Sequence, residues 1–268
     1  MRGRVLIVAG SDSGGGAGIQ ADIKAVTCLN GFAATAVTAL TAQNTLGVFG
    51  VHGVAPAFVQ KQIEVVMSDI GADAIKTGML ADAAVIDAVA DALARHAPGV
   101  PRVVDPVMRA KGGQALLAET ATTALIARLV RGATLVTPNL PEAAAMCGRT
   151  IATETDMKAA VPALRSLGAG ATLLKGGHLD GARVVDLLIT ADDVIRFEDL
   201  RIDTRSTHGT GCTLASAIAT GLAQGLDLAS AVARARAYVR AALASAPNLG
   251  AGHGPLDHAH TVREFPPK

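Results

Sequence analysis

Aromatic residues are scarce in this sequence, which has no tryptophan, one tyrosine and five phenylalanines among 268 residues. Its core must therefore be filled mainly by alanine, valine, leucine and glycine, which suits closely packed helices and buried parallel strands. Because half of the residues are hydrophobic, the chain can bury a substantial core. No linker-like stretch divides it, and we interpret residues 1–268 as a single domain.

Three further absences exclude whole classes of protein. The cysteines Cys28, Cys147 and Cys212 are odd in number and far apart, which argues against a disulfide framework or a structural zinc site. The formal net charge is +1 and there is no basic run, so we expect neither nucleic acid nor a membrane surface as a partner. No apolar run approaches the ~20 residues of a membrane span, and the run at 5–9 is too short for a signal peptide. We therefore expect a cytoplasmic protein.

Short apolar runs alternate with longer amphipathic segments. The runs predict strands at 5–9, 34–41, 74–77, 103–105, 134–137, 172–174 and 184–189. The amphipathic segments predict helices at 18–29, 56–69, 81–95, 116–130, 141–147, 154–167, 211–225 and 228–246. This alternation predicts an α/β fold with a mostly parallel central sheet covered on both faces. Residues 45–54 interrupt it and predict a small β flap, and residues 247–268 predict an irregular tail.

Ligands of parallel sheets bind beyond the carboxyl ends of the strands, and the polar clusters of this sequence follow strands in that way. The first cluster, residues 9–22, is rich in glycine and allows a ligand to approach backbone N–H groups. Gly16 stands where a Walker A loop requires lysine, so that motif is absent. A dinucleotide fingerprint is formally met, but no acidic residue ends the second strand, which weakens a Rossmann oxidoreductase. A tight turn without a ligand is the structural alternative.

Four side chains are candidates for binding a flat, polar ring. Gln43 directly follows a strand, and its carboxamide can donate and accept hydrogen bonds, which suits the edge of an aminopyrimidine. Met79 and Val107 could form an adaptable apolar wall, or belong to the core. Asp22 lies in the first turns of a helix, where it could also serve only to compensate the helix dipole. A polar strand-end cap is the corresponding alternative for Gln43.

Four other residues are candidates for handling phosphate and its cation. Asp105 ends a strand and could help to hold Mg²⁺, or cap the turn before Pro106. Asn139 and Glu142 flank the start of a helix in a near-capping arrangement, and a carboxylate there can also face a Mg²⁺ hydration shell. Lys175 ends another strand and offers a compact positive charge to a phosphate, unless it only faces solvent.

The most specific cluster is residues 206–213, which leads into a long alanine-rich helix. Gly209 and Gly211 free the backbone, and the N–H groups of the helix N-terminus, with Thr210, predict an anion hole. Cys212 lies at the start of the same helix, where we expect a lowered thiol pKa and a role as a base. A buried structural cysteine is the alternative. We interpret His208 as part of the loop structure.

Taken together and in this order, the motifs resemble those of the bacterial hydroxymethylpyrimidine (phosphate) kinases. The motifs lie at residues 9–24, 38–45, 76–80, 105–108, 137–143, 173–178 and 208–214, and the resemblance spans about residues 4–240. It implies a ribokinase-like three-layer α/β/α fold. It also implies ATP-dependent phosphorylation of 4-amino-5-hydroxymethyl-2-methylpyrimidine, and then of its monophosphate, in thiamine biosynthesis. One departure is Gly14, where the family usually has a second serine.

The resemblance also implies roles for the candidate residues. The substrate would be bound by Gly10, Asp22, Gln43, Met79 and Val107. The anion hole would be formed by Gly209, Thr210 and Gly211, with Cys212 as the base and Lys175 neutralising phosphate charge. ATP and Mg²⁺ would be supported by Asp105, Asn139, Glu142 and Lys175, with Glu142 and Asp105 acting on the metal through water. Family members are often homodimers with a flap near the substrate, which residues 45–54 fit.

Two alternatives share parts of this pattern. A pyridoxine or pyridoxal kinase has the same fold and also phosphorylates a hydroxymethyl group; Gln43 together with Met79 favours the aminopyrimidine. A catalytically silent pyrimidine-binding module would be expected to have lost Cys212, Lys175 or the glycine pair, and all of them are present.

Overall fold

Nine strands form the centre of the computed structural model, which describes residues 3–109, 113, 116 and 121–262. The strands are β1 (Arg4–Asp12), β2 (Phe32–Asn44), β3 (Gly47–Gly53), β4 (Ala74–Thr77), β5 (Arg102–Val104), β6 (Leu135–Val136), β7 (Thr172–Lys175), β8 (Arg183–Ile189) and β9 (Val194–Leu200). They form one sheet in the order β3-β2-β1-β4-β5-β6-β7-β8-β9. The six strands from β2 to β7 in this order pair in parallel, and β3, β8 and β9 add antiparallel pairs at the two edges.

Helices cover both faces of the sheet. They are α1 (Gly18–Cys28), α2 (Pro56–Asp69), α3 (Ala83–His96), α4 (Ala121–Leu125), α5 (Leu140–Cys147), α6 (Glu154–Ala159), α7 (Val161–Ser166), α8 (Thr210–Ala223) and α9 (Leu228–Ala244). A π-helical turn, Ile126–Val130, continues α4, and a 3₁₀ turn, His258–Thr261, lies near the end of the described chain. Within the described ranges, no helix is long and apolar enough to cross a membrane.

The apolar strand β1 shows why the fold has three layers. Successive side chains of a strand point to opposite faces, and Val5 to Ala9 are all fully buried. Leu6 and Val8 pack into a cluster with α2, α3 and α5, whereas Val5, Ile7 and Ala9 pack into a second cluster with α1, α8 and α9. A strand that is buried on both sides must read as a continuous apolar run, as this one does. The predicted three-layer α/β/α fold is therefore confirmed.

Three segments refine the sequence-based expectation. The flap predicted at 45–54 is β3, which pairs antiparallel with the end of β2 from Ala39 to Asn44. Strand β9 was not predicted; it is half-exposed at the sheet edge, so its sequence lacks the continuous apolar character of the central strands. The start of the helix predicted at 116–130 falls largely outside the described residues.

Apart from its 3₁₀ turn, the described segment after α9 is irregular, but hydrogen bonds attach it to the rest of the fold. The His253 N–H donates to Thr45 O (2.9 Å), and the His208 N–H donates to Gly254 O (3.0 Å). The described part of the tail thus fastens the base of the flap to the loop before α8. The single domain at 1–268 stays a prediction.

Candidate active site

The carboxyl ends of the central parallel strands bring the predicted polar clusters together. Beyond the strands themselves the ladder continues: Asp105 N–H donates to Thr77 O, Thr137 N–H to Val104 O and Lys175 N–H to Pro138 O, each at 2.9 Å. These bonds set the residues that follow β4, β5, β6 and β7 side by side at one edge of the sheet. Charged groups that are distant in sequence can therefore interact there.

Lys175 and Asp105 form an ion pair at this edge. Lys175 Nζ donates to Asp105 Oδ1 at 3.2 Å, and the Thr137 hydroxyl contacts the same oxygen at 3.3 Å. Burial by itself would lower the pKa of Lys175, but Asp105 and Glu142 raise it above its ordinary value. The lysine is therefore positively charged. Because its side chain is 15% exposed, the charge can be reached by a ligand.

The N-terminus of α8 lies directly over this ion pair. A Cβ atom on Gly211 would lie 3.3 Å from Lys175 Nζ and 3.6 Å from Asp105 Oδ2. Gly209, the N-cap, has φ +80°, and a Cβ there would be 1.8 Å from Gly16 O. Only glycine fits this conformation and this close approach. The first N–H groups of a helix have no partner within it, so the lysine and these donors face one common space.

Asn139 and Glu142 form a complete capping box at the start of α5. The Glu142 N–H donates to Asn139 Oδ1 (2.9 Å), and the Asn139 N–H donates to Glu142 Oε2 (2.8 Å). Burial raises the pKa of Glu142 to about 7, although Lys175 opposes the shift. The two residues therefore form the helix cap that was the alternative to metal binding. The charge of Lys175 still acts on Glu142.

A divalent cation is compatible with the side chains at this edge. Among the described residues there is no group of three or more His, Cys, Asp or Glu side chains that could hold a metal. Mg²⁺, however, keeps several waters and needs only one or two carboxylates beside substrate phosphates. Asp105, which is paired with Lys175, and Glu142, whose charge acts on Lys175, fit that requirement, and a role through water stays a prediction.

Asp22 does not have the surroundings expected of a substrate-binding residue. Its two carboxylate oxygens accept from Lys76 Nζ at 2.9 and 2.8 Å, and Oδ1 also accepts from Ser216 Oγ at 2.7 Å. The side chains of Lys76 and Asp22 have no exposed surface. Burial would lower the pKa of Lys76, but Asp22, Cys212 and Asp105 raise it above its ordinary value. Asp22 therefore acts within a sealed ion pair, and a direct contact with substrate is not available to it.

Cys212 lies in the first turn of α8, one turn before Ser216. The expectation of a lowered thiol pKa was wrong. Burial raises the pKa of Cys212 to about 12, and Asp22 and Asp105 add to the rise, while Lys76 and a hydrogen bond with the Gly18 backbone oppose it. Loss of hydration thus outweighs the helix N-terminus and favours the neutral thiol, although the Cys212 residue is only partly buried.

Two of the substrate-side candidates, Met79 and Gln43, contact the first glycine-rich loop, and a third, Val107, follows β5. Met79 is buried against Gly10, where an added Cβ would lie 3.0 Å from its Sδ. Val107 is half-buried and follows β5, with its N–H bound to Asp105 O (2.9 Å). The Gln43 N–H donates to Ser13 Oγ (2.8 Å), and the Ser13 hydroxyl donates to Gln43 O (3.0 Å). These two bonds hold the Gln43 backbone against the loop.

Asp12 organises this loop, a role that the sequence did not reveal. Its carboxylate accepts from the N–H groups of Gly14 (2.8 Å), Gly16 (3.1 Å) and Ala17 (2.8 Å). The ring of His208 adds a contact at 2.9 Å. Burial opposes ionisation of Asp12, but the bonds from His208, Ala17 and Gly14 keep its pKa below the ordinary value. Asp12 and His208 thus join the first loop to the loop before α8.

Comparison with known proteins gives a family match that covers most of the chain. The model of the family described as phosphomethylpyrimidine kinase matches residues 12–257. The chain belongs to the phosphomethylpyrimidine kinase family. It is 53% identical to the thiamine biosynthesis bifunctional protein ThiED of Geobacter sulfurreducens over 98% of this chain, although it spans about half (54%) of that longer protein. It is 48% identical to the hydroxymethylpyrimidine/phosphomethylpyrimidine kinase of Rhizobium meliloti, over 95% of this chain and 96% of the relative.

A solved structure gives the same picture of the fold. The pyridoxal kinase from Staphylococcus aureus in complex with AMP-PCP has a TM-score of 0.90 and 34% identity, covering 98% of this chain and 96% of that chain. The ribokinase-like fold and the assignment as a phosphotransferase are therefore confirmed for this member of the phosphomethylpyrimidine kinase family.

Among the predicted site residues, those on the phosphate side lie close together in the structure. Lys175, Asp105 and Gly211 meet, with Glu142 beside them. Three residues that were not among the predicted site residues, Lys76, Asp12 and His208, supply the sealed ion pair and the contact between the two loops. A lysine within the otherwise apolar run of β4 was a usable signal, because a buried charge requires a partner. Asp12 and His208 gave no such signal, since their contact spans 196 positions.

Proposed function

We propose that this chain catalyses the ATP-dependent phosphorylation of 4-amino-5-hydroxymethyl-2-methylpyrimidine and then of its monophosphate, yielding the diphosphate used in thiamine biosynthesis. The observation that carries the proposal is the Lys175–Asp105 pair beneath the N-terminus of α8, in a chain 48% identical over nearly its whole length to a kinase of that name. Phosphoryl transfer relies on positioning and charge stabilisation, which this arrangement supplies.

On the phosphate side, the backbone N–H groups at Gly209, Thr210 and Gly211 would stabilise charge on the transferred phosphoryl group. Lys175 would neutralise charge on the same group, since its pKa stays above the ordinary value. Asp105 and Glu142 would orient the waters of Mg²⁺, and Asn139 would hold Glu142 through the capping box. Mg²⁺, when bound with ATP, would supply charge neutralisation between the phosphates.

Cys212 would accept the proton of the substrate hydroxyl only after something lowers its thiol pKa from about 12. Lys76 is the charged group that already acts in that direction. We therefore propose Cys212 as a base in the loaded site, where carboxylate charge at Asp105 is compensated by the metal. In a Cys212→Ser variant the packing should persist while most turnover is lost; full turnover would reduce Cys212 to a structural role.

On the substrate side, Gln43 would bind the edge of the pyrimidine, and Met79 and Val107 would pack on the ring near the Gly10 backbone. Asp22 would act indirectly, by holding Lys76 close to Cys212. A second candidate activity is phosphorylation of pyridoxine or pyridoxal. It is favoured by the close likeness of fold to a pyridoxal kinase, at a TM-score of 0.90.

The deciding experiment measures ATP consumption by the purified protein with Mg²⁺, using hydroxymethylpyrimidine, its monophosphate and pyridoxine in parallel. Turnover of both pyrimidines is expected and would establish the two-step kinase. Turnover of pyridoxine alone would move the assignment to vitamin B6 salvage, and no turnover with any of the three would leave a pyrimidine-binding module. Omission of Mg²⁺ serves as the control and should abolish turnover.

We also propose that the protein is a cytoplasmic homodimer that pairs through the flap. The flap exposes apolar side chains, including Leu46, Phe49 (71% exposed) and Val51, and β2 adds Leu40. A hairpin at the sheet edge that exposes this many apolar side chains is typical of an interface. Light scattering after size exclusion should give a dimer for the wild type and a monomer for Phe49→Asp. Ile195→Asp, on the exposed β9 at the opposite edge, is the matched control and should leave the dimer intact.

A further inference from the structure

The ring of His208 connects the glycine-loop carboxylate to the residue expected to bind the pyrimidine. His208 Nε2 lies 2.9 Å from Asp12 Oδ2 and 3.2 Å from Gln43 Nε2. The other amide atom of Gln43, Oε1, lies 3.1 Å from Thr41 Oγ1. His208 and Asp12 are both nearly fully buried. These contacts form a continuous chain that ends at a half-buried carboxamide on the ligand side of the sheet.

Proton accounting fixes what His208 must do. Asp12 already accepts three backbone N–H groups, so it is an acceptor, and the ring nitrogen that faces it must carry a hydrogen. A ring nitrogen that carries a hydrogen cannot accept one from Gln43, so an amide nitrogen there would make no hydrogen bond with the ring. An amide oxygen in its place can share the single Nε2 hydrogen with Asp12 in a three-centre bond, with Asp12 as the nearer acceptor. The amide atom that faces His208 must therefore be the oxygen. A carboxamide has the same shape when its nitrogen and oxygen are exchanged, so hydrogen bonding decides the assignment.

Thr41 leads to the same orientation from the other end of the carboxamide. Its hydroxyl lies 2.9 Å from the carbonyl oxygen of Ser11, which can only accept. The single hydroxyl hydrogen is thus committed to Ser11, and Thr41 Oγ1 can only accept from Gln43. The amide atom that faces Thr41 is therefore the nitrogen. Two independent neighbours require one and the same orientation, with Oε1 toward His208 and Nε2 toward Thr41.

The ring of His208 has little freedom to leave this position. Its backbone N–H donates to Gly254 O at 3.0 Å, and a Cβ atom on Gly16 would lie only 2.5 Å from its ring carbon Cδ2. The imidazole is thus packed against the backbone of the first loop on one side and attached to the tail segment on the other. A donor held this firmly can orient a flexible side chain.

We propose that His208, held by Asp12, is a positioning residue that fixes the carboxamide orientation of Gln43 and thereby selects a substrate edge that offers a donor beside an acceptor. The fixed amide has one remaining lone pair on Oε1 and one remaining hydrogen on Nε2. A 4-aminopyrimidine presents the complementary pair, an exocyclic amino hydrogen and an adjacent ring nitrogen. This inference rests on the proposed aminopyrimidine substrate and adds the origin of its selectivity.

The test compares two substrates in three proteins. The substrates are hydroxymethylpyrimidine and its analogue that lacks the 4-amino group, and the proteins are wild type, His208→Phe and His208→Gln. The readout is the ratio of the two kcat/KM values, with KM for ATP measured alongside. His208→Phe removes the donor and should lower this ratio roughly tenfold or more, since a hydrogen bond in a buried site is lost. His208→Gln places an amide donor where Nε2 stood and should restore most of the ratio.

The outcomes distinguish a purely structural role of His208 from its positioning role, and both from a failure of the proposed function. A purely structural role of His208 would lower kcat/KM for both substrates alike, and an unchanged ratio in His208→Phe would overturn the inference. If His208→Phe does not fold, Thr41→Val tests the other end of the carboxamide; it should lower the same ratio, and an unchanged ratio there would equally overturn the inference. A wild type that fails to phosphorylate hydroxymethylpyrimidine would instead refute the proposed function, which the other outcomes leave intact.

Discussion

Two lysines of this protein have nearly the same local setting but different surroundings. Lys76 is the next-to-last residue of β4 and Lys175 the last residue of β7. Each precedes a glycine within two residues, and each pairs with an aspartate, at 2.8 and 3.2 Å. The side chains of Lys76 and Asp22 have no exposed surface, whereas that of Lys175 is 15% exposed. One ion pair is sealed and the other is open to a ligand.

The hydrogen bonds explain this difference. Lys76 contacts both oxygens of Asp22, and Ser216 donates to the same carboxylate, so the sealed pair is well satisfied. Among the described residues, Lys175 has one side-chain hydrogen bond, to Asp105, at a rather long distance. The comparison teaches that a buried lysine keeps donors for a ligand when its carboxylate partner leaves part of the ammonium unsatisfied. Substitutions in and around the two ion pairs test this contrast.

The largest effect is expected when the sealed pair is broken. Lys76→Met leaves the carboxylate of Asp22 buried without a counter-charge, which should lower the free energy of unfolding by about 3–5 kcal/mol. Urea unfolding measures the change. Replacing all three polar groups together, Lys76→Met with Asp22→Leu and Ser216→Ala, should recover much of the loss, because no uncompensated charge remains.

Lys61→Met provides the control for this prediction. Lys61 belongs to an exposed pair with Glu64, and its loss should change the free energy of unfolding by less than about 1 kcal/mol. If Lys76→Met were as stable as Lys61→Met, the sealed pair would contribute little, and the contrast with Lys175 would fail.

Breaking the open pair should affect turnover more than stability. Lys175→Met removes a charge that we expect to act on the transferred phosphoryl group, and kcat should fall about 10²–10³-fold. Steady-state kinetics with hydroxymethylpyrimidine and ATP provide the measurement, and urea unfolding should show a smaller loss than in Lys76→Met. A kcat within about threefold of wild type would show that Lys175 does not stabilise the transferred group.

The contrast between the lysines also shows how far the sequence could lead. The alternation of apolar runs and helices predicted the parallel sheet, since a strand buried on both faces leaves a continuous apolar run such as 5–9. The strand-end position of Lys175 and the glycines before Cys212 followed from local patterns. Strand β9 could not be predicted, because an edge strand that is half-exposed lacks that apolar signature.

What the sequence could not provide was pairing across long separations. Asp22 was expected to bind substrate, yet its partner Lys76 lies 54 positions away, and only the packing of α1 on the sheet brings them together. The pKa of Cys212 was misjudged for a related reason. A helix N-terminus can be recognised locally, but the burial that raises the pKa to about 12 depends on the whole fold.

The third prediction concerns the carboxylate beside the open pair. Burial raises the pKa of Glu142 from an ordinary value of 4.5 to about 7 in the folded protein, so the folded state binds more protons than the unfolded state between these values. The free energy of unfolding should therefore fall as the pH rises from about 4.5 to 7, by on the order of 1–3 kcal/mol, and level off above.

Urea unfolding as a function of pH measures this slope, and Glu142→Gln should reduce it, since the amide does not titrate. Magnesium with ATP should lower the pKa of Glu142 by favouring its charged form. An unchanged pH dependence in Glu142→Gln would show that another group is responsible, and that the charge of Lys175 offsets the effect of burial on Glu142.

The smallest effects are expected at the two glycines that cover the lysines. A Cβ on Gly78 would lie 2.8 Å from Lys76 Nζ, and a Cβ on Gly211 would lie 3.3 Å from Lys175 Nζ. In the sealed pair the ammonium cannot yield without losing its bonds to Asp22, so Gly78→Ala should destabilise the fold by about 1–2 kcal/mol. In the open pair Lys175 can move, so Gly211→Ala should keep stability but lower kcat, because the methyl group fills the space expected to hold phosphate.

Gly177→Ala, where a Cβ would meet nothing within 4 Å, is the control for both measurements. Equal losses of stability at Gly78 and Gly211 would mean that both pairs are rigid, and that exposure rather than freedom to move distinguishes them.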